Sequence, residues 1–173
     1  TLDNWKNPCG APQVCESVVN SIVLALGVTI MSTLMGTLIA FALVRYQFRG
    51  RATTNLTIFL PMATPEVVLG ASLLALFLNM FVPLGFWTVF IAHVMFCISF
   101  VVVTVKARLS SLDPRLEQAA MDLYASERQA FRLITLPLVA PGIAAAALLA
   151  FSLSFDDFII AGGGQFTELP NGT

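Results

Sequence analysis

Three carboxylates, Glu66, Asp156 and Asp157, stand in stretches of the chain that otherwise carry almost no charge. A charged acid at membrane depth is costly, and it is kept where it faces a cavity or the interior of a helix bundle. There it attracts and briefly holds a cation without a metal or cofactor. Each acid also has a plainer reading. Thr64-Pro65-Glu66 has the form of an N-cap and the first two helical positions, so complementing the dipole of a helix restarted after Pro65 is the preferred role for Glu66. A helix broken at mid-depth is also where transporters place their sites. Asp156 and Asp157 are neighbours and point about 100° apart on a helix. One is therefore expected to line a path while the other caps or hydrogen-bonds; either can be the path residue, with the lean to Asp157. His93 has no second ligand residue near it and reads as an interior histidine; no metal site is expected. There is no Gly-rich nucleotide loop ending in Lys-Ser or Lys-Thr, and no Ser/His/Asp constellation, so the chain is not expected to be an enzyme.

The elements that position these groups are apolar helices. With 57% hydrophobic and 11% charged residues and a mean hydropathy of +0.85, the chain falls outside the soluble globular class. The uncharged run Ser17 to Val44 would extend about 42 Å as a helix, longer than the ~30 Å hydrocarbon core. Further spans are expected at about 54–78, 86–105 and 141–160, with Pro83-Leu84-Gly85 turning the chain between the second and third. Four spans are the minimum, residues 1–16 form an external lead-in, and 17–173 form the membrane domain. Ser32, Gly36 and Ala40 recur every four residues and make a close-packing seam on the first span. Phe77, Phe81, Phe86, Trp87 and Phe90 flank the outer turn as interfacial aromatics do.

Basic residues give the orientation, because Lys and Arg near span ends are retained in the cytoplasm. Arg45, Arg49 and Arg51 lie between spans one and two, and Lys106, Arg108, Arg115, Arg128 and Arg132 between spans three and four. Of the nine basic residues only Lys6 lies elsewhere, so both ends of the chain are expected outside. Cys9 and Cys15 then share an oxidising compartment, where a small-loop disulfide and two unpaired thiols are both open. Cys97 reads as a small packing residue. The chain starts at Thr1 without an initiator Met and stops soon after the fourth span, as a fragment would.

The loop 106–137 differs from the rest in carrying Glu117, Asp122, Glu127, Arg128 and Arg132 within a short amphipathic stretch. Asp113-Pro114 supplies an N-cap and a proline at the first helical position. A helix from there to about Leu123 puts Leu116, Ala119, Ala120 and Leu123 on one face. Ser126 and Gln129 form a capping box for a second short helix ending near Leu133, ahead of Pro137, with a bend at Tyr124-Ala125 between the two. Small Ala119 and Ala120 admit a close partner, rimmed by Arg115, Asp122 and Arg132. A hairpin lying on lipid headgroups fits the same composition.

Gln118-Ala119-Ala120, then position 124, then Ile134-Thr135-Leu136-Pro137 resemble the EAA loop of permease subunits of bacterial ABC importers. Leu60 to Gly70 and Ser152 to Phe158 resemble the matching stretches of the spermidine/putrescine class. Two positions depart from the pattern: Gln118 stands where the family usually has Glu, and Tyr124 where it usually has Gly. A Gly at such a bend takes a positive φ that Tyr adopts only at a cost. The resemblance implies an all-α polytopic bundle of the type I ABC importer permease kind in the bacterial inner membrane, with about four of six spans and a two-helix coupling loop on the cytoplasmic side. It implies ATPase coupling through Glu117, Gln118, Ala119, Ala120, Asp122, Leu123, Tyr124 and Arg128, with ATP and Mg held by the partner and no cofactor in this chain. The implied partners are a cytoplasmic ATP-binding subunit dimer, a second permease subunit, an extracytoplasmic substrate-binding protein and membrane lipid, with no nucleic acid. A secondary transporter or channel built on the intramembrane carboxylates, and a non-transporting structural membrane subunit, remain the other readings of the residues.

Overall fold

The computed structural model describes residues 12–157, with side chains from Val18 onward except that of Glu66. Every regular element in this range is helical: α1 (Pro12–Arg45), α2 (Arg51–Ala63), α3 (Glu66–Asn79), α4 (Phe86–Ser110), α5 (Arg115–Asp122), α6 (Glu127–Ala130) and α7 (Leu136–Asp156), with a π-helical turn over Phe131–Thr135. Three helical stretches are long and apolar enough to cross a bilayer, and four if α2 and α3 count as one bent span.

The bundle is built on α1, α4 and α7, each packed on the other two. Apolar side chains gain nothing by leaving lipid for another apolar surface, so such helices are held by close packing and polar contacts. Small residues provide the approach: Ala25, Ser32 and Ala40 on α1 and Ala146 and Ala150 on α7 are fully buried. Gly36 sits where a Cβ would fall 2.6 Å from Cγ1 of Val101, so only glycine lets α1 come this near α4. Of the seam expected from Ser32, Gly36 and Ala40, all three are buried and Gly36 lies at the α1–α4 contact. Gly27 faces Phe90 as Gly36 faces Val101, which makes these two helices parallel. The Cys97 thiol faces the Ala150 carbonyl at 3.7 Å, and Arg108 Nε donates to Leu138 O at 3.1 Å, so α7 runs antiparallel to α4. His93 is buried in this bundle, with Nδ1 2.8 Å from the Val89 carbonyl.

The stretch expected as a single span over 54–78 is two helices meeting at 108°. Pro65 is the cause, since the residue before a proline is driven out of the α region. Thr64 accordingly has φ −88° and ψ 134°. Nor does Thr64 cap the next helix as its position suggested. Its hydroxyl donates backwards to Leu60 O at 2.8 Å, and α3 begins at Glu66 after Pro65. Beside the bundle, α2 is tied to α4 by Lys106 Nζ donating to Asn55 Oδ1 at 2.7 Å, while Leu69, Leu73 and Phe77 of α3 pack on the core.

A second difference lies at the other end of the loop. The helix starting at Glu127 does not stop before Pro137 but runs on as one element to Asp156. A proline inside an α-helix lacks the amide for its i−4 bond and crowds that carbonyl. The π turn widens the backbone just ahead of Pro137, with Leu136 N bonding back to Phe131 O, and the helix continues through it.

Candidate functional site: the loop at one end and an acidic cavity at the other

The loop between α4 and α7 is assembled by caps that the sequence carries locally. Asp113 Oδ1 accepts the Arg115 amide at 2.9 Å, and Pro114 has φ −58° and ψ −21°, so the helix opens on the residues expected to open it. At its far end Tyr124 N bonds to Met121 O at 3.0 Å and Ala125 N to Ala120 O at 3.1 Å. This is the paired Schellman closure, which requires a left-handed residue at the position Tyr124 occupies. Tyr124 has φ 64°. Its ring is 99% exposed, so no packing compensates the backbone cost. Ser126 then accepts from Gln129 N, while the Gln129 side chain accepts from Ser126 N at 2.9 Å. That capping box starts α6 as its spacing suggested.

α5 buries no residue. Gln118, Ala119, Asp122, Leu123 and Tyr124 are exposed, as is Arg128 on α6, whereas Glu117 and Ala120 are half-buried on the bundle side. Leu123 is 81% and Leu133 72% exposed. The loop therefore presents an open apolar surface with a charged rim. The coupling residues expected from the sequence divide into two groups. Six face outward, and the Glu117 carboxylate turns inward, accepting from both Arg45 Nη2 at the end of α1 and Thr135 Oγ1 in the π turn. The Arg45 guanidinium also lies over the Phe131 ring, 5.0 Å from its centroid, and Phe131 meets Phe41 edge-on at 5.3 Å. A cavity of about 240 Å³ sits beside this cluster, bounded by Val44, Leu109, Leu116, Ile134 and Leu138. Arg45, Phe131 and Thr135 were not legible as a site. Arg45 carries a topology signal in the sequence, and its contact with Glu117 spans 72 positions.

At the opposite end of α7, Asp156 and Asp157 border one cavity of about 110 Å³ with Phe96, Leu149, Ser152 and Leu153. The expectation that the two acids must point apart rested on continued helical geometry. The helix instead ends at Asp156, and Asp157 has φ −78° and ψ 90°, which brings both to the same cavity. Asp156 is exposed and Asp157 half-buried. The backbone of Glu66 opens α3, but its side chain lies outside the described residues, as does the Cys9–Cys15 pairing. Among the described residues no three His, Cys, Asp or Glu side chains come together as metal ligands would.

A helical bundle whose span-sized helices are joined by an exposed two-helix loop has the organisation of a transport permease. Residues 19–162 match the family described as binding-protein-dependent transport system inner membrane component, and the chain belongs to that family. Among its relatives, the spermidine/putrescine transport system permease protein PotC of Haemophilus influenzae is 40% identical over 146 residues, 84% of this chain and 57% of that protein. PotC of Escherichia coli is 42% identical over the same share of this chain and 55% of its own. The putrescine transport system permease protein PotI of Escherichia coli is 39% identical over 161 residues, 88% of this chain and 56% of PotI. The chain thus spans a little over half the length of these relatives.

Proposed function

We propose that this chain is the membrane-spanning part of a permease subunit in an ATP-driven importer of polyamines, with loop 113–137 in the cytoplasm and the start of α1 and the end of α7 outside. The observation that carries the reading is the loop. Two capped helices meet at a left-handed Tyr124 and leave Gln118, Ala119, Asp122, Leu123, Tyr124 and Arg128 exposed, in the stretch that resembles the loop by which permeases engage their ATPase. Relatives named for spermidine and putrescine transport support the substrate class. The clustering of Arg45, Lys106, Arg108, Arg115, Arg128 and Arg132 at this end supports its cytoplasmic placement.

In this reading a dimeric ATP-binding subunit holds ATP and Mg and receives the loop in a cleft. A second permease subunit completes the path, and an extracytoplasmic binding protein delivers the substrate. Polyamines are flexible multivalent cations. The cavity edged by Asp156 and Asp157 offers two carboxylates about 21 Å along α7 from Gly142, toward the outer mouth, where they draw such a cation in without trapping it. The chain itself performs no hydrolysis. Reconstitution of the complete complex with its ATPase and binding protein tests the proposal: spermidine or putrescine should stimulate ATP hydrolysis and accumulate in the vesicles. Polyamine uptake that persists without the ATPase, driven by an ion gradient alone, would replace this reading with a secondary transporter.

A further inference from the structure

We infer that Glu117 is a positioning residue that pins the first helix of the loop to the inner ends of α1 and α7, and that it transmits loop motion to those helices instead of contacting the ATPase. This rests on the transport reading above for its functional meaning, although the tether itself does not. One carboxylate oxygen, Oε1, takes a hydrogen bond from Arg45 Nη2 and another from Thr135 Oγ1. These partners belong to different elements, 72 and 18 positions away. Thr135 is buried, and Arg45 is fixed on its other side by the face of Phe131, which in turn braces Phe41 of α1.

α5 has little else to hold it. It buries none of its residues, and it packs mainly on α6 and the π turn, the start of the long helix that continues as α7. Through Arg45, the Glu117 side chain links α5 directly to α1. The neighbouring Gln118 and Asp122 face outward, so the helix divides its polar groups between a bundle side and a partner side. A charge-assisted contact with a guanidinium that is itself stacked is directional. It passes a displacement of α5 to α1 and α7 together.

The test uses the full permease, alone and in complex with its ATPase. In the permease alone, Glu117→Gln should raise amide hydrogen exchange over residues 115–122 at least fivefold, and the exchanged pair Arg45→Glu with Glu117→Arg should bring it back toward the original rate. In the complex, Glu117→Gln should leave stoichiometric copurification of the ATPase intact while reducing substrate stimulation of ATP hydrolysis at least fivefold. Should Glu117→Gln fail to accumulate, recovery of yield in the exchanged pair supports the tether and failure of recovery overturns it. Unchanged exchange over 115–122, or loss of ATPase copurification on Glu117→Gln with Arg45→Gln behaving as the original, overturns the inference. If the unaltered permease takes up polyamine without any ATPase, the transport reading fails while the exchange measurement still decides the tether.

Discussion

Tyr124 shows how one residue can set the character of a loop. The Schellman closure of α5 demands a left-handed backbone there, which costs an L-residue with a Cβ about 1–2 kcal/mol and costs glycine little. Because the ring is almost fully exposed, Tyr124→Gly should stabilise the loop by about 1 kcal/mol. The check is slower exchange of the Tyr124 and Ala125 amides; unchanged rates would mean that the bend does not depend on residue 124. Ser126 works in the opposite sense. Its capping box satisfies the first amides of α6, so Ser126→Ala should cost about 1 kcal/mol and be seen as faster exchange over 127–130. Both positions were legible in the sequence, the first as a departure from a glycine pattern and the second as a Ser-x-x-Gln spacing. Glu117 was legible as a member of the coupling loop, but not as a residue that turns inward. Its Arg45 and Thr135 partners are set by how three helices meet, and no local spacing encodes that.

At the scale of elements, the α1–α4 contact depends on Gly36 and the α4–α7 contact on Gly142, whose Cβ would fall 2.6 Å from Cγ of Arg108. Gly36→Leu should therefore push α1 off α4 and cost at least the ~1–3 kcal/mol typical of overpacking, measurable as a lower thermal unfolding midpoint in detergent. A variant with an unchanged midpoint would show that the seam is not close-packed. The seam was readable because its residues recur every four positions. The break in the second span was readable as a helix restart after Pro65, but the 108° of its bend was not. Apolar composition over 54–78 is continuous and argues for one helix, while the turn at Thr64-Pro65 depends on a single backbone restriction that composition does not register. Pro137 misled in the reverse direction, since proline ordinarily ends a helix, and here a π turn absorbs it.

At the scale of the whole molecule, the acidic groups and the exposed loop stand at opposite ends of the bundle. Replacing Asp156 and Asp157 together by Asn should raise the half-saturating polyamine concentration for uptake about tenfold, equivalent to about 1.4 kcal/mol, with little change in the basal ATPase rate of the complex. An unaltered concentration dependence would remove both acids from the path. Their shared cavity was hidden from the sequence because a helix was assumed to continue past Asp156. Membrane class and helical content, by contrast, follow from composition and from runs such as Ser17 to Val44, where apolar length alone is decisive.

The uninterrupted helix from Glu127 to Asp156 has a mechanical consequence. Its 30 residues make a strut about 45 Å long, with the capped start of α6 at one tip and the acidic cavity at the other. Between the tips it leans on α1 and α4 through Ala146 and Ala150, which are buried there. Its packing also runs along the strut, from Leu138 and Gly142 beside Arg108 to Ala150 beside Cys97, so the two tips are held by one continuous seam. With no break at Pro137 to divide it, the exposed loop and the acidic cavity are joined by a single helix.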